Sequence, residues 1–131
     1  MTDRSTSERY LEGMATRREV LGDAYVDASE AARTDFNDGF LTLITEAAWG
    51  HVWSRPQLTR RERSIVTIAL LAGLGHHEEL ALHIKATANT GATAEDIRET
   101  LLHVAIYAGV PAANTAMKIA KATLDDMAKP E

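Results

Sequence analysis

The 131-residue sequence contains no cysteine, and this absence excludes several kinds of chemistry. Without a thiol there is no disulfide framework, thiolate nucleophile, cysteine-type zinc site or iron–sulfur cluster. Peroxidatic and disulfide-exchange chemistry based on thiols is therefore excluded. A chain of this length can still build a hydrophobic core without covalent or metal cross-links.

Basic residues and long apolar runs are also scarce. The formal net charge is -5, with Lys and Arg outnumbered by Asp and Glu. Nucleic acid is therefore not an expected partner, because counterion release requires a basic face. The longest apolar run, residues 65–74, is shorter than the roughly 20 residues that cross a bilayer, so no membrane partner is expected. Residues 1–8 lack the apolar segment of a secretory signal, which favours the cytoplasm, and residues 1–6 are expected to be a disordered tail.

Strand signals are weak, and only three prolines interrupt the chain. Apolar residues recur at helical spacing, so the sequence predicts one all-α domain over residues 1–131. Capping boxes are predicted where Thr59 precedes Glu62 and where Thr93 precedes Asp96. The pattern predicts about six helices, with a central hairpin formed by the third and fourth: 7–21, 34–49, 59–74, 76–89, 93–108 and 111–127.

Two further expectations concern packing. The second helix has one apolar face, formed by Phe36, Phe40, Leu43, Ile44 and Ala47. Residues 50–58, which include Pro56, are expected to form a loop. Aromatic residues make up only 5% of the chain. A small domain with few aromatic residues gains stability when it buries apolar surface against another subunit. This predicts a homo-oligomer in which residues 65–74 form the helix at the interface.

One candidate site lies in the fourth helix, where His76, Glu79 and His83 follow one another at i, i+3 and i+7. This spacing places them on one helix face, where Glu79 could orient His83 for proton transfer. A solvated helix start with acids in its first turn explains the same residues. A metal site is the lesser alternative, because Ala81 stands where a metalloprotease motif needs its second histidine.

A second candidate site surrounds residues 49–56. Trp49 and Trp53 could form the wall of a small apolar pocket, although tryptophans at such positions are also ordinary core anchors. Arg55, beside Pro56, could bind a substrate carboxylate with two hydrogen bonds or form a surface salt bridge.

A third group consists of His103, Tyr107 and Asn114. His103 and Tyr107 share a helix face, and Asn114 begins the next helix. A structural role is favoured for this group, because no partner motif accompanies it.

Four segments together resemble the carboxymuconolactone decarboxylase family in chain order. They are residues 9–14 with 17–24, residues 48–50 with 53–56, residues 78–80 with His83, and residues 105–114. The alkylhydroperoxidase D proteins of the same superfamily carry two redox cysteines, at the positions of His76 and Glu79, and a relay glutamate at the position of Ser64. This sequence lacks that apparatus. Tyr25 also departs from the resemblance, because relatives often have histidine there.

The resemblance implies an alkylhydroperoxidase D-like fold, a homo-oligomer, often a hexamer, and no cofactor. It also implies decarboxylation of 4-carboxymuconolactone, a lactone dicarboxylate, to 3-oxoadipate enol-lactone in protocatechuate catabolism. We expect His83, oriented by Glu79, to donate the proton and Arg55 to bind a carboxylate between Trp49 and Trp53. His76 and Tyr107 are further expected substrate contacts, and no metal ligand is expected.

Three alternatives stay open at this point. The chain could act on a related lactone as a decarboxylase or isomerase, or it could be a non-catalytic helical oligomer, because a fold does not decide a function. A metal-dependent lyase is the third.

Overall fold

A computed structural model describes residues 7–130, and the expected tail at residues 1–6 lies outside them. Every regular element in the described part is a helix, which confirms the all-α prediction. The expected number of six was too low, because residues 7–130 form seven α-helices and one π-helix. The elements are α1 (Glu8–Leu21), α2 (Asp23–Ala31), α3 (Asp38–Ile44), the π-helix (Thr45–Trp53), α4 (Arg60–Leu74), α5 (His77–Thr90), α6 (Ala94–Tyr107) and α7 (Val110–Met127).

The chain divides after Leu58 into two compact units. Residues 7–58 form the N-terminal unit, and residues 59–130 form the C-terminal unit. The expectation of a single domain over residues 1–131 stays a prediction.

Two glycines allow α1 and the π-helix of the N-terminal unit to pack backbone against backbone. A Cβ atom added at Gly13 would lie 2.0 Å from the Thr45 carbonyl oxygen and 2.9 Å from the Gly50 nitrogen. One added at Gly50 would lie 2.5 Å from the Arg9 carbonyl oxygen. Neither position has room for a side chain. This close contact is what seats the π-helix on α1.

A network of charged side chains joins α1 to α2 and α3. Arg17 is buried with 3% of its surface exposed, and its guanidinium donates to Ser29 at 2.9 Å and to Glu30 at 3.3 Å. Arg33 donates to the other Glu30 oxygen at 2.8 Å and to Asp38 at 2.8 Å. Because buried charges are costly unless paired, this network fixes how α2 lies on α1.

The N-terminal unit differs from the sequence expectations in four respects. Gly22 ends α1 as predicted. With its positive φ of 90° it is also the N-cap of α2, a helix that was not predicted from the sequence. The helix expected from residue 34 begins at Asp38, and the loop expected from residue 50 is helical to Trp53. The predicted apolar face is largely exposed in the single chain, and Phe36 is 98% exposed. Helical spacing therefore predicts which residues lie on the same side of the chain, but it does not predict whether that side is buried.

The C-terminal unit contains the predicted helical hairpin, formed by α4 and α5. Both expected capping boxes are present, at Thr59 with Glu62 and at Thr93 with Asp96. Arg61 makes a bidentate ion pair with Asp96, at 2.8 and 2.6 Å, and so ties the start of α4 to the start of α6. The pair and the cap hold the pKa of the Asp96 carboxyl well below its usual range.

Small and branched apolar side chains fill the core of this unit. Helix α7 starts at Val110 with proline in its first turn, as expected, and contributes alanines that are almost fully buried. Close packing of four helices follows from these small side chains. The buried core consists of Ile68, Ala72, Leu80, Ile84, Ile97, Leu101, Val104, Ala113, Ala116 and Ala120.

Within the described residues, no helix combines the length and the apolar character that crossing a bilayer requires.

Candidate functional site

Helix α5 places His83 between the buried core and solvent. Its neighbours Leu80 and Ile84 are completely buried, whereas His83 itself is half-buried. Glu79, one helical turn earlier, is exposed in the first turn of α5. Burial lowers the pKa of the His83 imidazole, and the negative charge of Glu79 partly offsets this effect. Glu79 thus favours the protonated form, but burial has the larger effect and holds the pKa of His83 below its usual value.

His76 lies at the N-cap of α5, one residue before the helix in which the sequence placed it. Its ψ of 79° is not helical. Its side chain is exposed, and its carbonyl accepts the Leu80 amide at 2.9 Å. Glu79 and His83 therefore lie in the helix at the predicted spacing, whereas His76 has a non-helical backbone. Periodicity failed at His76 because it assumes helical backbone at every position counted.

The π-helix carries both tryptophans of the chain. Trp49 and Trp53 are each 6% exposed, and their ring centroids lie 5.1 Å apart at an interplanar angle of 33°. A π-helix is rare and often occurs at functional sites. The two indoles form one buried aromatic surface. Such a surface is compatible both with core packing and with the wall of a pocket that excludes water.

Arg55 follows the π-helix directly. Its amide donates to the Val52 carbonyl at 3.1 Å, and its side chain is exposed. An exposed guanidinium on a fixed backbone suits recognition of a carboxylate, because its planar array of donors matches two oxygens at once.

Tyr107 lies near the end of α6 and stacks on His103, with ring centroids 4.9 Å apart and an angle of 19°. Tyr107 is 81% exposed. Both residues line a groove between α4 and α6, whose two adjoining cavities measure about 540 and 290 Å³. The apolar walls of this groove include Ala69 and Leu70. Tyr107 therefore lies beside His103 in the groove next to α4. His83 and Glu79 lie together on α5.

The predicted site residues belong to both units of the chain. Trp49, Trp53 and Arg55 lie in the N-terminal unit, whereas the other four lie in the C-terminal unit: His76, Glu79, His83 and Tyr107. Within residues 7–130, no three side chains of His, Asp or Glu converge closely enough to hold a metal ion.

The position of the relay glutamate of the redox relatives holds a different arrangement. Ser64 is completely buried on α4 and donates to Thr90 Oγ1 on α5 at 2.7 Å. This pair joins the two helices of the hairpin. A hydroxyl pair stands where the redox enzymes carry an ionisable group.

One polar contact beside Arg55 was not predicted from the sequence. Thr16 on α1 and Ser54 after the π-helix are joined by a hydrogen bond of 2.7 Å between their hydroxyl oxygens. The two residues lie 38 positions apart, so no local pattern could have linked them. Ser54 belonged to the 53–56 segment of the resemblance, which was the one available signal.

Comparisons with known proteins agree with the resemblance. The family model described as "Carboxymuconolactone decarboxylase family" matches residues 38–122. A 4-carboxymuconolactone decarboxylase from Acinetobacter baylyi is 45% identical over 120 residues, which cover 92% of this chain and 90% of that protein. A nitrosuccinic acid decarboxylase from Metarhizium robertsii is 42% identical over 88% of this chain and 81% of its own length. A 4-carboxymuconolactone decarboxylase sequence from Pseudomonas putida is 49% identical over 33% of this chain. The chain therefore belongs to the carboxymuconolactone decarboxylase family.

Proposed function

We propose that the protein is a 4-carboxymuconolactone decarboxylase, which forms 3-oxoadipate enol-lactone and carbon dioxide in protocatechuate catabolism. The observation that carries this proposal is the 45% identity to an enzyme of that name over 92% of the chain. A cytoplasmic location and a single domain over residues 1–131 are parts of the proposal that rest on the sequence.

The substrate supplies the electron sink that decarboxylation requires. Its leaving carboxylate is attached to a ring carbon next to a double bond, and this double bond is conjugated with the lactone carbonyl. When the carbon–carbon bond breaks, its electron pair enters the ring and gives a dienolate with charge on the lactone oxygen. A proton then adds to the ring carbon beside the carbonyl. The protein must bind the spectator acetate carboxylate, stabilise the developing charge and deliver this proton.

In the proposal, His83 delivers the proton and Glu79 favours its protonated form. Because burial lowers the pKa of His83, its imidazolium gives up a proton more readily than an exposed one, which suits protonation of carbon. A bound substrate with two carboxylates adds negative charge and favours the uptake of that proton from water. His83 is thus protonated as the dianion binds, and it becomes neutral again when the product forms.

Arg55 binds a substrate carboxylate, and the buried surface of Trp49 and Trp53 excludes water from the reacting groups. Exclusion of water favours loss of the charged carboxylate as neutral carbon dioxide. His76 and Tyr107 are proposed as further substrate contacts, and the exposure of both side chains supports this role.

The test mixes purified protein with freshly generated 4-carboxymuconolactone, in the presence of a chelator, and follows carbon dioxide and enol-lactone. We expect turnover by the wild-type chain. His83→Ala should lose about 10²–10⁴-fold in kcat, as expected for a missing acid–base group. His51→Ala, which removes an exposed histidine of the N-terminal unit, is the control for losing an imidazole elsewhere. Normal turnover by His83→Ala would exclude the proton-donor role.

Arg55 is tested separately, with Arg55→Lys. This variant keeps the positive charge but loses the planar pair of donors, so we expect a higher KM with a smaller change in kcat. An unchanged KM would exclude bidentate binding.

Nitrosuccinate is a second candidate substrate, favoured by the 42% identity to the Metarhizium decarboxylase. Nitrosuccinic acid and 4-carboxymuconolactone share one skeleton. In both, one carbon carries a carboxylate, a CH₂–carboxylate arm and an electron-accepting group, which is nitro in one and the unsaturated lactone in the other. The same site could therefore hold the arm and release carbon dioxide from the neighbouring carbon. The ratio of the two kcat/KM values, measured on one preparation, decides which substrate the protein prefers.

The proposal includes a homo-oligomer, with the hexamer implied by the resemblance. Helix α4 supports it, because Leu70 and Leu74 are 57% and 68% exposed in the single chain. Exposed apolar patches of this kind mark association surfaces. Light scattering after gel filtration should find the wild type as a hexamer and Leu70→Glu as smaller species. Leu11→Glu, an equal change at an exposed position of α1, is the control. A monomeric wild type would overturn this part of the proposal.

A further inference from the structure

The turn that carries Arg55 is held by a chain of two hydroxyl groups. Ser54 Oγ donates to the Trp49 carbonyl oxygen at 2.7 Å. The same Oγ lies 2.7 Å from Thr16 Oγ1 on α1. A serine hydroxyl has one hydrogen, and the Trp49 carbonyl receives it. Thr16 is therefore the donor to Ser54, and the chain runs from α1 through Ser54 to the π-helix.

This chain acts on the backbone next to Arg55. Ser54 ends the π-helix with φ -82° and ψ -5°, and the following amide, that of Arg55, donates to Val52. Two consecutive residues are thus anchored, one through its side chain and one through its amide. The anchored backbone fixes where the Arg55 side chain leaves the turn.

Packing does not require these hydroxyls. Thr16 is 5% exposed, and valine has nearly its shape without the polar group. Buried hydroxyls cost free energy unless they are hydrogen-bonded. The polar chain runs through Ser54, the residue before Arg55, and it is explained if it holds the exposed Arg55 side chain in a defined place.

We propose that Thr16 and Ser54 are positioning residues, which orient Arg55 to receive a substrate carboxylate. The inference rests on the proposed function, because the carboxylate belongs to the substrate named there. It assigns a role to α1 that the sequence motifs did not suggest, through a contact that spans 38 positions.

The test compares Thr16→Val, which loses the hydroxyl, with Thr16→Ser, which keeps it. We expect Thr16→Val to raise KM for 4-carboxymuconolactone about fivefold, the effect of one neutral hydrogen bond, with kcat little changed. Thr16→Ser should restore KM. Thr123→Val is the matched control, because Thr123 is also buried and donates to a carbonyl at 2.8 Å, but in the C-terminal unit. An unchanged KM in active Thr16→Val enzyme overturns the proposal.

A second readout does not depend on turnover. Hydrogen exchange of the Arg55 amide, measured by NMR, reports how often the turn opens. Thr16→Val should accelerate this exchange about fivefold, whereas Thr16→Ser and Thr123→Val should leave it unchanged. Unchanged exchange in Thr16→Val overturns the positioning role whatever the activity. If the wild-type chain shows no turnover, the proposed function is overturned, and so is the assignment of the substrate carboxylate to Arg55. Hydrogen exchange of the Arg55 amide still decides in that case whether Thr16 holds the turn.

Discussion

Gly13→Ala should destabilise the N-terminal unit, although alanine normally favours a helix. The added Cβ would lie 2.0 Å from the Thr45 carbonyl oxygen, and real Cβ atoms essentially never come closer than 3.0 Å to such an atom. Helix α1 and the π-helix must therefore separate by about 1 Å. Neither side can give way by changing a rotamer, because the clash involves backbone.

The magnitude follows from two opposing effects. Overpacking costs about 1–3 kcal/mol and occasionally more, and a backbone clash belongs at the upper end. Replacing glycine in a helix interior returns about 1 kcal/mol. We therefore expect a net loss of about 2 kcal/mol in the free energy of unfolding.

Urea denaturation followed by tryptophan fluorescence measures this loss selectively. Both tryptophans of the chain lie in the π-helix, so their emission reports on the N-terminal unit. Gly73→Ala is the control, because its Cβ would meet only the Ala108 Cβ, at an ordinary 3.4 Å. There the helix preference of alanine acts alone, so the C-terminal unit should gain up to about 1 kcal/mol when its unfolding is followed by circular dichroism at 222 nm. The fluorescence transition of the N-terminal unit should stay where it is in the wild type. A Gly13→Ala chain as stable as wild type would refute the close packing of α1 on the π-helix.

Two further predictions concern protonation. Because burial lowers the pKa of His83, the unfolded chain binds that proton first, so stability should fall as the pH drops below about 6.5. Glu79→Gln should lower the pKa of His83 further in an NMR titration. Because His83 must be protonated to act as the acid, the alkaline limb of the rate profile should also move to lower pH. Glu78→Gln should change neither, and equal shifts in both variants would argue against a specific Glu79 effect. The pKa of Asp96 is also lowered, mainly by Arg61, so this carboxylate stabilises the fold above about pH 3.9 and loses its effect as the pH falls. Asp96→Asn should therefore lower the melting temperature at pH 7 and flatten its decline below pH 4, and an unchanged acid profile would contradict this account.

The sequence alone determined the helical class and most of the C-terminal unit. Capping boxes at Thr59 and Thr93 are local signals, since each cap and its partner lie three residues apart, and both were found where predicted. The family motifs were equally readable, because each is a continuous segment. The i, i+4 relation of Glu79 to His83 needed only helical geometry.

Tertiary structure decided everything that depends on residues far apart in the chain. Gly22 is also the N-cap of α2, and Arg17 holds α2 on α1 through Ser29 and Glu30; no periodicity shows either feature. The balance of burial over the charge of Glu79 sets the pKa of His83, and burial is a property of the folded chain. The hydroxyl chain from Thr16 through Ser54 to the Trp49 carbonyl joins two segments through space, and only the fold brings such partners within hydrogen-bond distance.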